Sequence, residues 1–302
     1  MRSALASLTL TLALACGLSA VAQELIKPSD TGIRSSFDAP NVVLRPKHLE
    51  GAPILLWMPG TNGEPSFTVP FLKTIAAQGY RVIGMEYDDT PAVSQICPRI
   101  PDSNCAAAFR SMRVYGPNLH GGPSADTKAS PVENPVQESI SARLVALLHE
   151  LDKRHPNEGW AEYLDGEQPK WSRIAVSGQS QGAGMAAFIA KQHEVPRVIL
   201  FSSPLDFQGN LRNPRFAPWL RDKSVTPLDR WYAVRNSREP FNDALTKSYP
   251  LLGVPADHIR VFSLDLPPQA NAANPMVYHG INIHDMRYLP EWQFLFGNVN
   301  PN

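Results

Sequence analysis

The sequence predicts a single α/β domain: a mostly parallel central sheet flanked by helices. Short apolar, strand-like runs alternate with stretches of helical periodicity, and several of those runs are apolar at successive positions, as strands covered on both faces are. No internal repeat, low-complexity tract or composition break marks a second domain. The 302 residues, 43% hydrophobic and 19% charged, suffice for one sizeable core. The 29 prolines, roughly double the average share, imply many rigid turns.

Taken in order, residues 52–58 (APILLWM) form a compact apolar strand that stops at Pro59-Gly60. Val69, Phe71, Leu72, Ile75 and Ala76 recur at helical spacing, with Gly79 as the cap, and residues 81–87 return to strand character. A Pro-, Gly- and Ser-rich loop is expected over 88–135. Ile140, Leu144, Leu147, Leu148 and Leu151 then form a helical stripe. Residues 173–177 (RIAVS) read as strand, 183–191 as helix, and 197–201, 231–234 and 258–264 as three further strands. A last helix is expected over 286–296.

Residues 1–22 are set apart from the domain, which is taken as 23–302. Arg2, an apolar run over 8–18, and small residues at Ala20 and Ala22 make a secretory signal peptide cleaved before Gln23. The run is shorter than the ~20 residues a membrane span needs, so no integral span is expected in the mature chain. A lipoprotein reading, with lipid on Cys16, is the lesser alternative because Ala13 stands where Leu is usual. The chain is expected to be periplasmic or secreted. There Cys97 and Cys105, close together in a loop-like segment, read as a local disulfide that pins a loop near the site. No ligands at zinc-like spacing accompany them. The 28 basic residues balance the 28 acidic ones, which gives no reason to expect nucleic acid or an anionic membrane as partner.

The chemistry is carried by Gly178-Gln179-Ser180-Gln181-Gly182, a G-x-S-x-G pentapeptide between the strand RIAVS and an Ala-rich helix. A strand-to-helix turn this tight holds its serine in a strained conformation and needs small neighbours on both sides. Gly184, Ala186 and Ala187 let the helix lie close to the strand. Ser180 is thereby exposed as a nucleophile, with the Gln181 amide aimed into the site at the positive end of the helix.

This stretch resembles the nucleophile elbow of the α/β-hydrolase superfamily, and the order of elements over most of the chain is similar to it. The resemblance implies a second oxyanion donor on the loop after an early strand; in WMPGTNG this is the Thr61 amide, paired with that of Gln181. It also implies the order Ser, acid, His. Glu239, after the second strand beyond the elbow, is the favoured acid, although Asp is the more usual residue there. Asp206, after the first such strand, is the alternative. His279 is favoured as base over His284, both lying beyond the last strand. His48, His120, His149, His155, His193 and His258 stand at poor positions for that role, with His120 able to border the pocket. Residues 207–229, with Phe216, Trp219 and Leu220, can form a small cap or pack between strands.

YDDTPAV, the cysteine pair and APWL also resemble a group of secreted bacterial hydrolases. What the resemblance implies is fold and chemistry: a serine hydrolase with a Ser-acid-His triad and no metal or organic cofactor. The first reading of its function is an esterase- or lipase-like carboxylic-ester hydrolase, acting on a small-molecule or polymeric ester. A peptidase or polyester depolymerase uses the same triad, and a non-catalytic binding protein can share the scaffold. Substrate preference and oligomeric state have no signature in the sequence.

Overall fold

The computed structural model describes residues 22–117, 129–268, 270, 271 and 273–300. Most of the segment expected to be a signal peptide, including Cys16, and His120 lie outside the described residues.

Eight strands form the central sheet: β1 (Ala22–Ile26), β2 (Asn41–Arg45), β3 (Ile54–Met58), β4 (Arg81–Gly84), β5 (Ile174–Gln179), β6 (Val198–Phe201), β7 (Trp231–Asn236) and β8 (Ile259–Phe262). Their spatial order is β1-β2-β4-β3-β5-β6-β7-β8. The β1/β2 and β2/β4 pairs are antiparallel, and every pairing from β4 to β8 is parallel.

Side-chain alternation along β3 divides the core between the two faces of the sheet. Ile54, Leu56 and Met58 enter the larger core beneath helices α2 (Cys105–Tyr115), α3 (Ile140–Arg154), α4 (Gln181–Gln192) and α5 (Asn242–Leu252). Leu55 and Trp57 point the other way, toward α1 (Val69–Ala76) and α7 (Leu289–Phe296). On that face Phe71 is the hub. Its ring lies edge-on to Trp57 at 4.9 Å, Trp292 at 4.9 Å and Phe201 at 5.5 Å. Between the last strand and α7 lies the five-residue helix α6 (Met276–Gly280).

Four expectations are corrected. The strands β1 and β2 precede residue 52 and were not anticipated. The strand beginning at Arg81 ends at Gly84 rather than 87. The segment 88–135 is not all loop, for it contains α2, ten of whose eleven residues are buried. The final helix is shorter than 286–296, because Met286–Tyr288 is a 3-10 turn that leads into α7.

Residues 207–229 open with a hairpin, Phe207–Asn210 paired with Asn213–Phe216. Trp219 and Leu220 are buried in the larger core and Phe216 packs against it, so this apolar group belongs to the domain interior.

Cys97 and Cys105 form a disulfide, with Cα atoms 5.6 Å apart. It ties the turn after the one-turn helix Val93–Ile96 to the first residue of α2. Replacing both cysteines with serine is expected to lower unfolding stability by about 2–3 kcal/mol, the chain-entropy value for so short a loop. A urea titration checks this through a fall in midpoint relative to the oxidised protein.

Candidate active site

Strand β5 delivers the pentapeptide to the carboxyl end of the sheet, where sites on parallel sheets assemble. Ser180 has φ 52 and ψ −119, a conformation that non-glycine residues rarely adopt. It is held by its amide, which donates to the Phe201 carbonyl at 2.8 Å, and by its carbonyl, which accepts from the Gly184 amide at 3.2 Å. The glycines answer to close approach. A Cβ on Gly178 would lie 2.5 Å from the Gly182 carbonyl carbon and 2.6 Å from the Met58 oxygen. One on Gly182 would collide with the Met58 carbonyl oxygen.

The loop after β3 reaches the same point. A Cβ on Gly60 would stand 3.0 Å from the Ser180 Cβ, which brings Pro59-Gly60-Thr61 against Ser180. Two contacts from the chain after β4 fix this loop. The Tyr87 hydroxyl donates to the Pro59 carbonyl at 2.9 Å, and the Gly63 amide donates to Asp89 Oδ2 at 3.0 Å. Burial pushes the Asp89 carboxyl above its ordinary range, while bonds from the Thr90 hydroxyl and the Gly63 amide work against that rise. Gln181 opens α4, where the first amides have no partner within the helix.

Glu239 and His279 are brought together. His279 Nδ1 and Glu239 Oε2 are 2.6 Å apart, both residues are buried, and Phe241 stands edge-on to the imidazole at 5.0 Å. His279 lies in α6 rather than in a loop. The second carboxylate oxygen of Glu239 accepts from the Asn236 amide at 2.7 Å and from Ser202 Oγ at 3.0 Å.

Asp206 occupies a different setting. Its side chain is completely buried, and both its oxygens are engaged by the equally buried Arg110, with the Nε–Oδ2 distance 2.6 Å. Trp219 Nε1 donates to it at 2.9 Å. His284 is exposed, and its neighbour Asp285 is bound by Arg287. Of the remaining histidines, His193 is half-buried beside the Tyr115 hydroxyl, and burial depresses its pKa to about 4.

Several side-chain features of the site carried no sequence signal. Gln179 Nε2 donates to the His279 carbonyl at 3.2 Å, so the residue before Ser180 anchors the helix that carries the imidazole. Gln181 Oε1 accepts from the Val93 amide at 3.3 Å. Thr61 Oγ1 and Gln181 Nε2 are buried with no hydrogen-bond partner among the described residues, the condition of polar atoms that a bound ligand satisfies. Among the described residues no group of three or more His, Cys, Asp or Glu is placed to hold a metal ion. Nor is any described helix long and apolar enough to cross a membrane.

No protein-family model and no curated relative matches the chain. Solved structures do. Esterase B from Lactobacillus rhamnosis is 13% identical over a match covering 91% of this chain and 86% of that one, with a TM-score of 0.50. EstE1, a thermophilic carboxylesterase cloned from a metagenomic library, is 13% identical, with 94% and 90% covered and a TM-score of 0.45. An esterase from Pyrobaculum calidifontis is 12% identical, with 92% and 84% covered and a TM-score of 0.44. The chain has the α/β-hydrolase fold: the sheet order, the flanking helices and the esterase B match agree on it.

Proposed function

We propose that this protein is a secreted serine hydrolase that cleaves carboxylic esters through an acyl-enzyme on Ser180. The observation that carries the reading is the 2.6 Å pair between buried Glu239 and His279, which shares the carboxyl end of the sheet with a serine held at φ 52. In this mechanism His279 Nε2 takes the Ser180 proton as Oγ bonds to the ester carbonyl carbon. Glu239 accepts the Nδ1 proton in a hydrogen bond, which fixes the tautomer and stabilises the imidazolium. The amides of Thr61 and Gln181 bind the oxyanion. Collapse of the tetrahedral intermediate breaks the bond to the alcohol oxygen, which leaves with the proton from His279. Water, deprotonated by the same imidazole, then attacks the acyl-enzyme, and the acid departs as Ser180 regains its proton. No cofactor enters this sequence.

Esterase B and EstE1 bear names that fit ester substrates, and the Cys97–Cys105 disulfide is compatible with a periplasmic or extracellular site. The test is labelling with a serine-directed fluorophosphonate, followed by peptide mapping, alongside p-nitrophenyl esters of short and long acyl chains. One label on Ser180, with release of p-nitrophenol, is expected. Labelling without ester turnover would redirect the search to peptide or polyester substrates. Silence in both assays would favour a binding protein on this scaffold.

A further inference from the structure

The carboxylate of Glu239 has two oxygens, and only one faces His279. The other is held from behind by side chains that no feature of the sequence marked. Ser202 Oγ lies 3.0 Å from Glu239 Oε1, and Asn282 Nδ2 lies 3.0 Å from Ser202 Oγ. Asn282 Oδ1 in turn accepts from Asn236 Nδ2 at 3.2 Å, while the Asn282 carbonyl accepts from Trp292 Nε1 at 2.9 Å. Ser202, Asn236 and Asn282 are all completely buried.

The direction of every bond follows from these partners. Because the Asn236 amide group donates to Asn282 Oδ1, the Asn282 nitrogen faces Ser202. An NH2 group only donates, so Ser202 Oγ accepts there, and its single proton is left for Glu239. The chain of bonds joins the end of β6, the end of β7 and the 3-10 turn Ile281–Ile283, which follows directly on the helix carrying His279. Carboxylate and imidazole are thus tied to each other twice, once directly and once through the backbone that bears the base. Ser202 itself sits at φ 57, a costly conformation for serine, and its amide is held by the Val234 carbonyl at 2.9 Å.

We propose that Ser202 and Asn282 are positioning residues for the Glu239–His279 pair: together they stop the carboxylate from rotating, so that Oε2 stays in line with the imidazole as its charge develops. The proposal rests on the reading of Ser180, His279 and Glu239 as the triad. It concerns only the transition state, because none of these buried groups reaches a substrate. Removing a hydrogen bond to a charged group therefore lowers kcat by about 10- to 100-fold and leaves KM in place.

The experiment compares wild type with Ser202→Ala and Ser202→Gly on p-nitrophenyl butyrate, after titrating active sites to completion with a fluorophosphonate. Glycine suits φ 57 and removes the hydroxyl without adding backbone strain, so it keeps the fold even where the alanine variant does not. The expected result is a kcat per titrated site lower by about 10- to 100-fold with KM within about twofold, and no further loss when either change is added to Glu239→Gln. Wild-type turnover per titrated site in the variants would overturn the proposal, and so would a loss of equal size in the Glu239→Gln background. Failure of the triad reading looks different: Ser180→Ala would then still turn over, whatever Ser202 does.

Discussion

Alanine at His279 is expected to leave a folded protein whose kcat on an activated ester has fallen by about 10⁴–10⁶-fold. In the proposed mechanism the imidazole takes the Ser180 proton and returns it to the leaving group. Ser180→Ala should cost as much, and the double variant no more than either single one, because a triad acts as a unit. Glu239→Gln should cost less, about 10⁴-fold, since it keeps the shape of the side chain but presents the wrong partner to Nδ1–H. Steady-state kinetics, with circular dichroism as the check on folding, measures all three. His284→Ala is the control, for that side chain is exposed and lies outside the Glu239 hydrogen bonds. Loss of activity there, with retention in His279→Ala, would reverse the assignment of the base.

The second large effect is on stability. Asp206→Ala is expected to lower the unfolding free energy by about 3–5 kcal/mol, the cost of stranding a charge whose partner is gone. Arg110 is completely buried, donates to both oxygens of Asp206, and reaches the Gln181 carbonyl at 3.4 Å. Its guanidinium lies so close to Gly184 that any side chain there would occupy its place. The ion therefore has no route to water. Replacing the pair together, Arg110→Met with Asp206→Leu, should cost much less than the single change, because no unpaired charge remains. A urea melt of each variant is the measurement. An Asp206→Ala protein with the wild-type midpoint and no esterase activity would restore Asp206 as a candidate acid.

The two carboxylates show where the sequence was legible and where it was not. Ser180 announced itself because its constraint is local: strand, glycine, serine, glycine and small-residue helix are contiguous. The central strands were readable for the same reason, since burial on both faces leaves continuous apolar runs such as residues 54–58. Glu239 and Asp206 both follow strands, and position favoured Glu239 only through a count of strands beyond the elbow. Their partners differ, and these lie far along the chain: Arg110 is 96 residues before Asp206, and His279 is 40 after Glu239. Helix α2 escaped for a related reason. Arg110 and Arg113 are buried in it, so its inward face carries charges that only tertiary contacts with Asp206 and Asp88 make tolerable. Strand β1 is an edge strand, largely exposed, whose five residues carry no apolar alternation.

The pattern G-x-S-x-G treats two of its five positions as blank. Here both blanks are written on. Gln179 grips the backbone of His279, 100 residues away, and Gln181 receives the amide of Val93, 88 residues away in the other direction. The pentapeptide is thus a crossroads of the chain as well as the seat of the proposed nucleophile. A search that scores only its glycines and serine discards the letters that address the elbow to two distant helical segments of its own chain. Transplanted into a relative with other residues at those positions, the motif would arrive with its chemistry intact and its moorings cut.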